Sequence, residues 1–220
     1  MNQIEKNTVS SKGQVAEHIL FENPSGCGKR VLFVGNSITR HGIKESIGWM
    51  NDWGMAASAK EKDYVHLVMM AVQQKDSEAV FCICQASLWE RAYAEGESVY
   101  SMLAPAREFS ADVIILRIGE NCPLDGFNKH IFKNEYLKLV RYLDATGKAQ
   151  IILTSCFWKR DGDDIIQEIA EENVMEFIYL GDLGEQDEMR ADGLFTHTGV
   201  AHHPGDKGMQ VIAERILEKI

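Results

Sequence analysis

The stretch Arg30-Val31-Leu32-Phe33-Val34-Gly35-Asn36-Ser37-Ile38-Thr39-Arg40-His41-Gly42 decides the reading of this chain. Its first half is a continuous apolar run, the pattern of a strand buried on both faces. The run stops at Gly-Asn-Ser, which reads as a tight turn. Ser37 is thereby placed at the carboxyl end of a strand, where open α/β sheets bind their ligands. Two roles fit a serine there: a nucleophile, or the cap of a following helix.

Four further segments repeat the first strand's pattern: 79–84 (AVFCIC), 112–118 (DVIILRI), 149–154 (AQIILT) and 176–180 (EFIYL). The segments between them carry helical spacing. In 127–146, Phe127, Ile131, Phe132, Leu137, Val140 and Leu143 share one face, and Gly147 follows as a stop. Residues 59–74 and 163–173 read similarly. The last segment opens with His203-Pro204 and continues into the stripe Met209, Ile212, Ala213, Ile216, Leu217, with Pro204 suited to a first helical position. Strands alternating with helices predict a three-layer α/β/α fold around a five-stranded parallel sheet. Residues 1–28 read as a polar leader with one amphipathic piece, VAEHILFENP. Residues 29–220 read as one domain.

Composition narrows the function classes. The net charge of −10 disfavours nucleic acid, whose phosphates need a basic surface. No apolar run reaches the roughly 18 residues of a membrane span. The first residues lack the apolar centre of a signal peptide, so a cytoplasmic protein is expected. The five cysteines, Cys27, Cys82, Cys84, Cys122 and Cys156, fit no zinc spacing and read as free, buried thiols.

The predicted strand ends hold the chemistry. The first loop carries Ser37 and the second Gln85-Ala86-Ser87-Leu88-Trp89-Glu90. The third carries Gly119-Glu120-Asn121, and the long last loop Asp192, His197, His202 and His203. A serine, an amide donor and a histidine on one face are the parts of acyl transfer. Histidine can take the serine proton near neutral pH, and an N–H aimed at the oxyanion stabilises the intermediate. Alone, each residue has a duller reading as a cap, a turn residue or a surface loop residue. Trp49 and Trp53, with Asp52 between them, could wall a pocket and stack on a sugar ring, or belong to the core; Trp89 and Glu120 are further substrate-binding candidates. Glu120 and Arg40 could pair and stiffen the site. The segment 95–97 (EGE) reads as a solvated loop, and 185–188 (EQDE) as part of a long polar loop able to act as a lid.

Taken in order, VLFVGNSIT, DVIILRIGENC and HPGDKGMQVIAERI resemble the first, third and last sequence blocks of the SGNH (GDSL-like) hydrolases. The resemblance implies a flavodoxin-like sheet and ester hydrolysis, with Ser37 as nucleophile, His203 as base and Asn121 as an oxyanion donor. It implies no metal and no cofactor, and a small-molecule acyl ester as substrate.

Three departures stand out. Asn36 replaces the usual Asp. The second block lacks its usual glycine, which leaves the backbone N–H of Ala86 or Ser87 as the second donor. Val200 stands three before His203, where the family usually has the Asp that orients the imidazole. Asp192, Asp182 or a backbone carbonyl remain as candidates for that acceptor, and the carbonyl is favoured; His202 competes with His203 for the role of base. The expected function is a serine esterase acting on acetyl or other short acyl esters of a small polar, carbohydrate-like substrate. A flavodoxin-like binder of phosphate or flavin, and a carbohydrate-binding protein of the same fold without activity, are the alternatives.

Overall fold

The computed structural model describes residues 18–95 and 99–220. Most of the polar leader, and Gly96 and Glu97 of the EGE segment, lie outside the described residues. Six strands form one sheet: β1 (Ile19–Glu22), β2 (Arg30–Gly35), β3 (Val80–Gln85), β4 (Val113–Arg117), β5 (Gln150–Thr154) and β6 (Glu176–Ile178). Their order is β1-β3-β2-β4-β5-β6. The five expected strands are all present and all parallel. Counted among themselves they follow the 2-1-3-4-5 order of flavodoxin-like sheets. The sixth strand corrects the sequence reading: Ile19–Glu22, assigned to the leader, runs antiparallel along β3, with Ile19 opposite Cys84. Only Ile19 of its four residues is fully buried, so its apolar signal is short and one-sided.

Alternation along the strands divides the core into two layers. Val31 and Phe33 of β2 face α1 (Tyr64–Lys75) and α7 (Asp206–Leu217), packing with Val65, Val68, Met209 and Ile212. Leu32 and Val34 face the opposite side, with Trp89 of α2 (Ser87–Ala92), Phe132 and Tyr136 of α4 (Lys129–Leu143), and Ile166 of α5 (Asp163–Glu172). Two short helices, α3 (Ala104–Glu108) and α6 (Thr198–Ala201), complete the set used below. The final helix starts at Asp206, not at Pro204, which instead bridges to Arg190 as an isolated β pair.

The order in which strands are added reverses at β2, since β3 lies on one side of it and β4 on the other. The loops after β2 and β4 therefore splay apart there and open a crevice, as sheet topology requires. Among the cysteines, Cys82, Cys84 and Cys156 are buried, whereas Cys27 is exposed and Cys122 half-buried; none forms a disulfide. No helix among the described residues is long and apolar enough to cross a membrane.

Candidate active site

Within residues 31–40 every side chain is buried except that of Ser37. The turn that presents it is built by its neighbours. Asn36 accepts the Ile38 N–H on its own side chain (3.2 Å), and its carbonyl takes the N–H groups of Thr39 and Arg40, both at 3.0 Å. None of these bonds uses the Ser37 N–H. Gly35 is required for a steric reason: a Cβ there would lie 1.7 Å from Thr39 Oγ1, which is itself held by the Tyr64 hydroxyl at 2.6 Å. Asn36-Ser37 leads into a turn and not a helix; the next α-helix begins at Tyr64. The cap reading of Ser37, and the helix-terminus anion cradle that a phosphate or flavin binder needs, thus lack their helix.

Ser37 Oγ lies 2.8 Å from His203 Nε2. The other ring nitrogen, Nδ1, lies 2.7 Å from the carbonyl oxygen of Gly199. A carbonyl only accepts, so Nδ1 carries the proton and Nε2 presents its lone pair to the serine. Burial, opposed by the Gly199 bond, lowers the His203 pKa from its ordinary 6.5 to about 4. The imidazole is therefore neutral at physiological pH and free to accept a proton.

Neither candidate carboxylate reaches His203. Asp192 pairs with Arg190 Nε at 2.6 Å and lies 3.5 Å from Nδ1 of His202. Asp182 is held by both terminal nitrogens of Arg215, at 2.6 and 2.7 Å. The usual Asp position is filled by Val200, which is 1% exposed and packs with Trp49, Met55 and Ala191. His202 stacks on Trp158 at 5.6 Å, while His203 meets the same ring edge-on at 5.4 Å.

Beneath the turn lies a buried polar network. The Asn36 side-chain amide donates to Glu90 Oε1 (2.9 Å) and to Glu120 Oε2 (2.6 Å). Arg117, fully buried in the central strand β4, donates to Asn36 Oδ1 and to Glu120. Glu90 also takes the Gly119 N–H (2.6 Å) and the Asn121 side-chain amide (2.5 Å), and Glu120 the Phe157 N–H (2.9 Å). Burial, then repulsion from Glu120, raises the Glu90 pKa; for Glu120 burial acts upward, but the Arg117 charge outweighs it and holds the carboxyl below its ordinary value. The network explains Asn36. Two carboxylates already face that position, and an amide supplies the two donors they need.

Several expectations are corrected here. The Ala86 N–H is not free for an oxyanion, because it donates to the Gly35 carbonyl at 2.6 Å. The Ser87 N–H turns toward Gln85 Oε1 at 3.2 Å. Glu120 pairs with Arg117, and Arg40 pairs with Asp52 at 2.8 Å, so they do not pair with each other. Glu120 lies below the turn and does not contact the cleft. Trp49 (0% exposed) is core, its indole N–H donating to the His41 carbonyl, and Trp53 packs edge-on against it at 6.1 Å. Trp89 is likewise core, against Tyr93 and Tyr136. None of the three lines the cleft over Ser37, so no tryptophan platform for a sugar exists there. The loop after β6 is anchored: Met189 and Ala191 are buried, and Arg190 is bound to Asp187, Asp192 and the Gly184 carbonyl.

The cleft over Ser37 has a volume of about 350 Å³ and is lined by Ser37, His41, Lys44, Ile47, Met55, Gln85, Ser87, Arg91, Asn121, His197, Gly199 and His203. Ser37, Asn121 and His203 were expected there. His41, Lys44, Gln85 and Arg91 were not singled out. Arg117 left a signal, since a charge inside an apolar central strand demands buried partners.

No family model matches the sequence, and no curated protein does. Solved structures do. A family two carbohydrate esterase from Clostridium thermocellum in complex with cellohexaose superposes with a TM-score of 0.59 at 15% identity, over 90% of this chain and 65% of its own. A two-domain esterase active on acetylated mannans gives 0.53 at 17%, over 89% of this chain and 50% of its own. The lipase/acylhydrolase from Enterococcus faecalis gives 0.54 at 14%, over 88% and 95%. The chain thus spans about half to two thirds of the carbohydrate esterases and nearly all of the lipase. It shares the fold of these ester hydrolases.

Proposed function

We propose that the protein is a serine ester hydrolase that removes acetyl or another short acyl group from a small polar substrate. The observation that carries this reading is the hydrogen-bonded line from Ser37 Oγ to His203 Nε2, and from His203 Nδ1 to the Gly199 carbonyl. A hydroxyl at a strand end, with a neutral imidazole beside it in the required tautomer, is an activated nucleophile. His203 takes the Ser37 proton as Oγ bonds to the acyl carbon. The tetrahedral intermediate collapses, the alkoxide leaves with the proton from His203, and Ser37 keeps the acyl group. Water then attacks the acyl carbon and gives its proton to His203; the bond to Oγ breaks, Ser37 takes that proton back, and the acid departs. The Gly199 carbonyl holds the Nδ1 proton throughout and stabilises the transient imidazolium, so Ser37 and His203 act as a dyad.

Asn121 is the proposed oxyanion donor. One of its amide hydrogens is fixed by Glu90, which leaves the other for the substrate oxygen. The Ser37 N–H, outside the turn's hydrogen bonds, is a second donor and replaces Ala86 in that role. The chemistry draws on no metal or cofactor.

The substrate class follows from the lining. Ile47 and Met55 are its chief apolar contributors, which suits a short acyl chain, and the polar remainder suits a hydroxylated alcohol. Carbohydrate esters are the favoured class, supported by the two carbohydrate-acting esterases of the same fold. The test is a panel of p-nitrophenyl esters from acetate to long chains, run beside acetylated sugars. Short esters should be turned over fastest, Ser37→Ala should abolish turnover with the fold retained, and a serine-reactive phosphonate should label Ser37 alone. Full activity in Ser37→Ala, or label elsewhere, refutes the mechanism.

A further inference from the structure

The catalytic cleft does not end at its own rim. It continues into a depression of about 590 Å³ lined in part by His18, Arg40 and Asp52. Lys44 and Arg91 line both volumes and stand where they join. They arrive from different parts of the chain, Lys44 from the segment after the Ser37 turn and Arg91 from α2. Both are exposed, and neither makes an ion pair among the described residues. The carboxylate in the outer depression, Asp52, is engaged by Arg40. His41 lines both volumes as well; its Nδ1 lies 2.6 Å from the Gly42 carbonyl, so its Nε2 is an acceptor. Burial first, with the charges of Lys44 and Arg91 adding to it against the Gly42 bond, lowers the His41 pKa and keeps that ring neutral. A chain of net charge −10 thus places two cations, neither in an ion pair among the described residues, at the cleft of its candidate nucleophile. Clefts lined by one sign of charge focus field and draw in the opposite ion.

We infer that the alcohol portion of the substrate carries an anionic group, a carboxylate or a phosphate, which Lys44 and Arg91 hold at the junction while the ester lies over Ser37. This deepens the esterase reading and rests on it. The acyl side is the small apolar pocket at Ile47 and Met55, and the charged side is the outer groove. The preferred substrate is therefore an acylated acidic molecule, such as an esterified sugar acid or sugar phosphate.

The test compares aryl acetates that carry different para groups: anionic 4-acetoxybenzoate, its neutral methyl ester, and anionic 4-acetoxyphenyl phosphate. Their intrinsic reactivities cancel when variant is compared with parent. The readout is the ratio of kcat/KM for each anionic ester to that for the neutral one, in the parent, Lys44→Gln, Arg91→Gln and the double variant. Each single change should lower the ratio about two- to fivefold, the worth of an exposed charge pair, and the double change about tenfold. Added salt should shrink the effect. Lys148→Gln removes the same charge just before β5, at the opposite end of the sheet, and should leave the ratio alone. Whichever anion loses more of its ratio in the double variant identifies the source of the charge. Calorimetric titration of 4-hydroxybenzoate into Ser37→Ala, with and without the Lys44 and Arg91 changes, reads binding without turnover. Esters hydrolysed with an unchanged ratio in the double variant overturn the anion site and leave the esterase standing. Charge-dependent binding with no hydrolysis of any ester keeps the anion site and overturns the esterase. Neither binding nor turnover overturns both.

Discussion

Replacing Asn36 by aspartate gives this chain the residue that the SGNH resemblance leads one to expect, and it should damage the protein. Asn36 is 1% exposed and donates to two carboxylates, at 2.9 Å to Glu90 and 2.6 Å to Glu120. Aspartate removes both donors and places a third carboxyl against them, with Arg117 as the one cation of the network among the described residues. Glu120 Oε2 is left without a donor, while Glu90 Oε1 keeps the Gly119 N–H. About 1–3 kcal/mol for that oxygen, and a similar amount for a third carboxyl crowded against two others, make the change cost about 4 kcal/mol at neutral pH. That is a large part of a domain's usual 5–15 kcal/mol. The loss has a pH signature. One extra proton supplies an O–H where an N–H was lost, so the folded variant binds a proton that its unfolded chain, with carboxyl pKa values near 4, does not. Stability relative to the parent is then lost as pH rises, by up to about 1.4 kcal/mol per pH unit, or nearly 3 kcal/mol from pH 5 to 7. Urea unfolding of both proteins at pH 5, 6, 7 and 8 measures this. Adding Glu120→Gln returns the charge count to that of the parent and should recover part of the loss, since coupled neighbours are not additive. An Asn36→Asp protein as stable as the parent at pH 7, or a difference independent of pH, would refute the account of the network.

The kcat/KM profile should rise with pH through an acid limb centred well below the ordinary 6.5, near 4, because His203 must be neutral to act and burial depresses its pKa. His203→Ala should lose as much activity as Ser37→Ala, since residues acting as a unit are not additive. Asp192→Asn and Asp182→Asn should each cost less than about tenfold in kcat/KM; the loss of about 10⁴ seen on the same change in a serine protease triad would show that a carboxylate reaches the imidazole after all. Asn121→Ala should slow turnover by roughly 10²- to 10³-fold, the usual consequence of removing one oxyanion donor. A silent Asn121→Ala would move the oxyanion hole elsewhere.

The parallel strands were legible because burial on both faces leaves an unbroken apolar run, and Val31 to Val34 are all 0% exposed. The edge strand was not, since Ile19–Glu22 contributes one buried residue to a polar segment. Ser37 and His203 could be read from their positions at strand and loop ends. The tryptophans could not: a Trp that walls a pocket and one that fills a core look alike in sequence, and Trp49 and Trp89 fill the core. Glu90 and Glu120 look like loop charges until the fold places them 2.9 and 2.6 Å from Asn36. The Gly199 carbonyl leaves no sequence signal at all, because every residue carries one.

That carbonyl belongs to the end of α6. Were α6 to continue for one more turn, the backbone N–H of His203 would take the oxygen of Gly199; instead that N–H bonds to the Val200 carbonyl at 3.0 Å, and the imidazole takes the vacant oxygen. The orienting group is thus a place in a helix, and no side-chain substitution deletes it. Scanning mutagenesis will pass over it. What it does not survive is a change of length: one residue inserted or removed between Gly199 and His203 shifts the ring off its acceptor while leaving every named side chain in the chain. In this site the count of residues between the two positions does the work that residue type does in a triad.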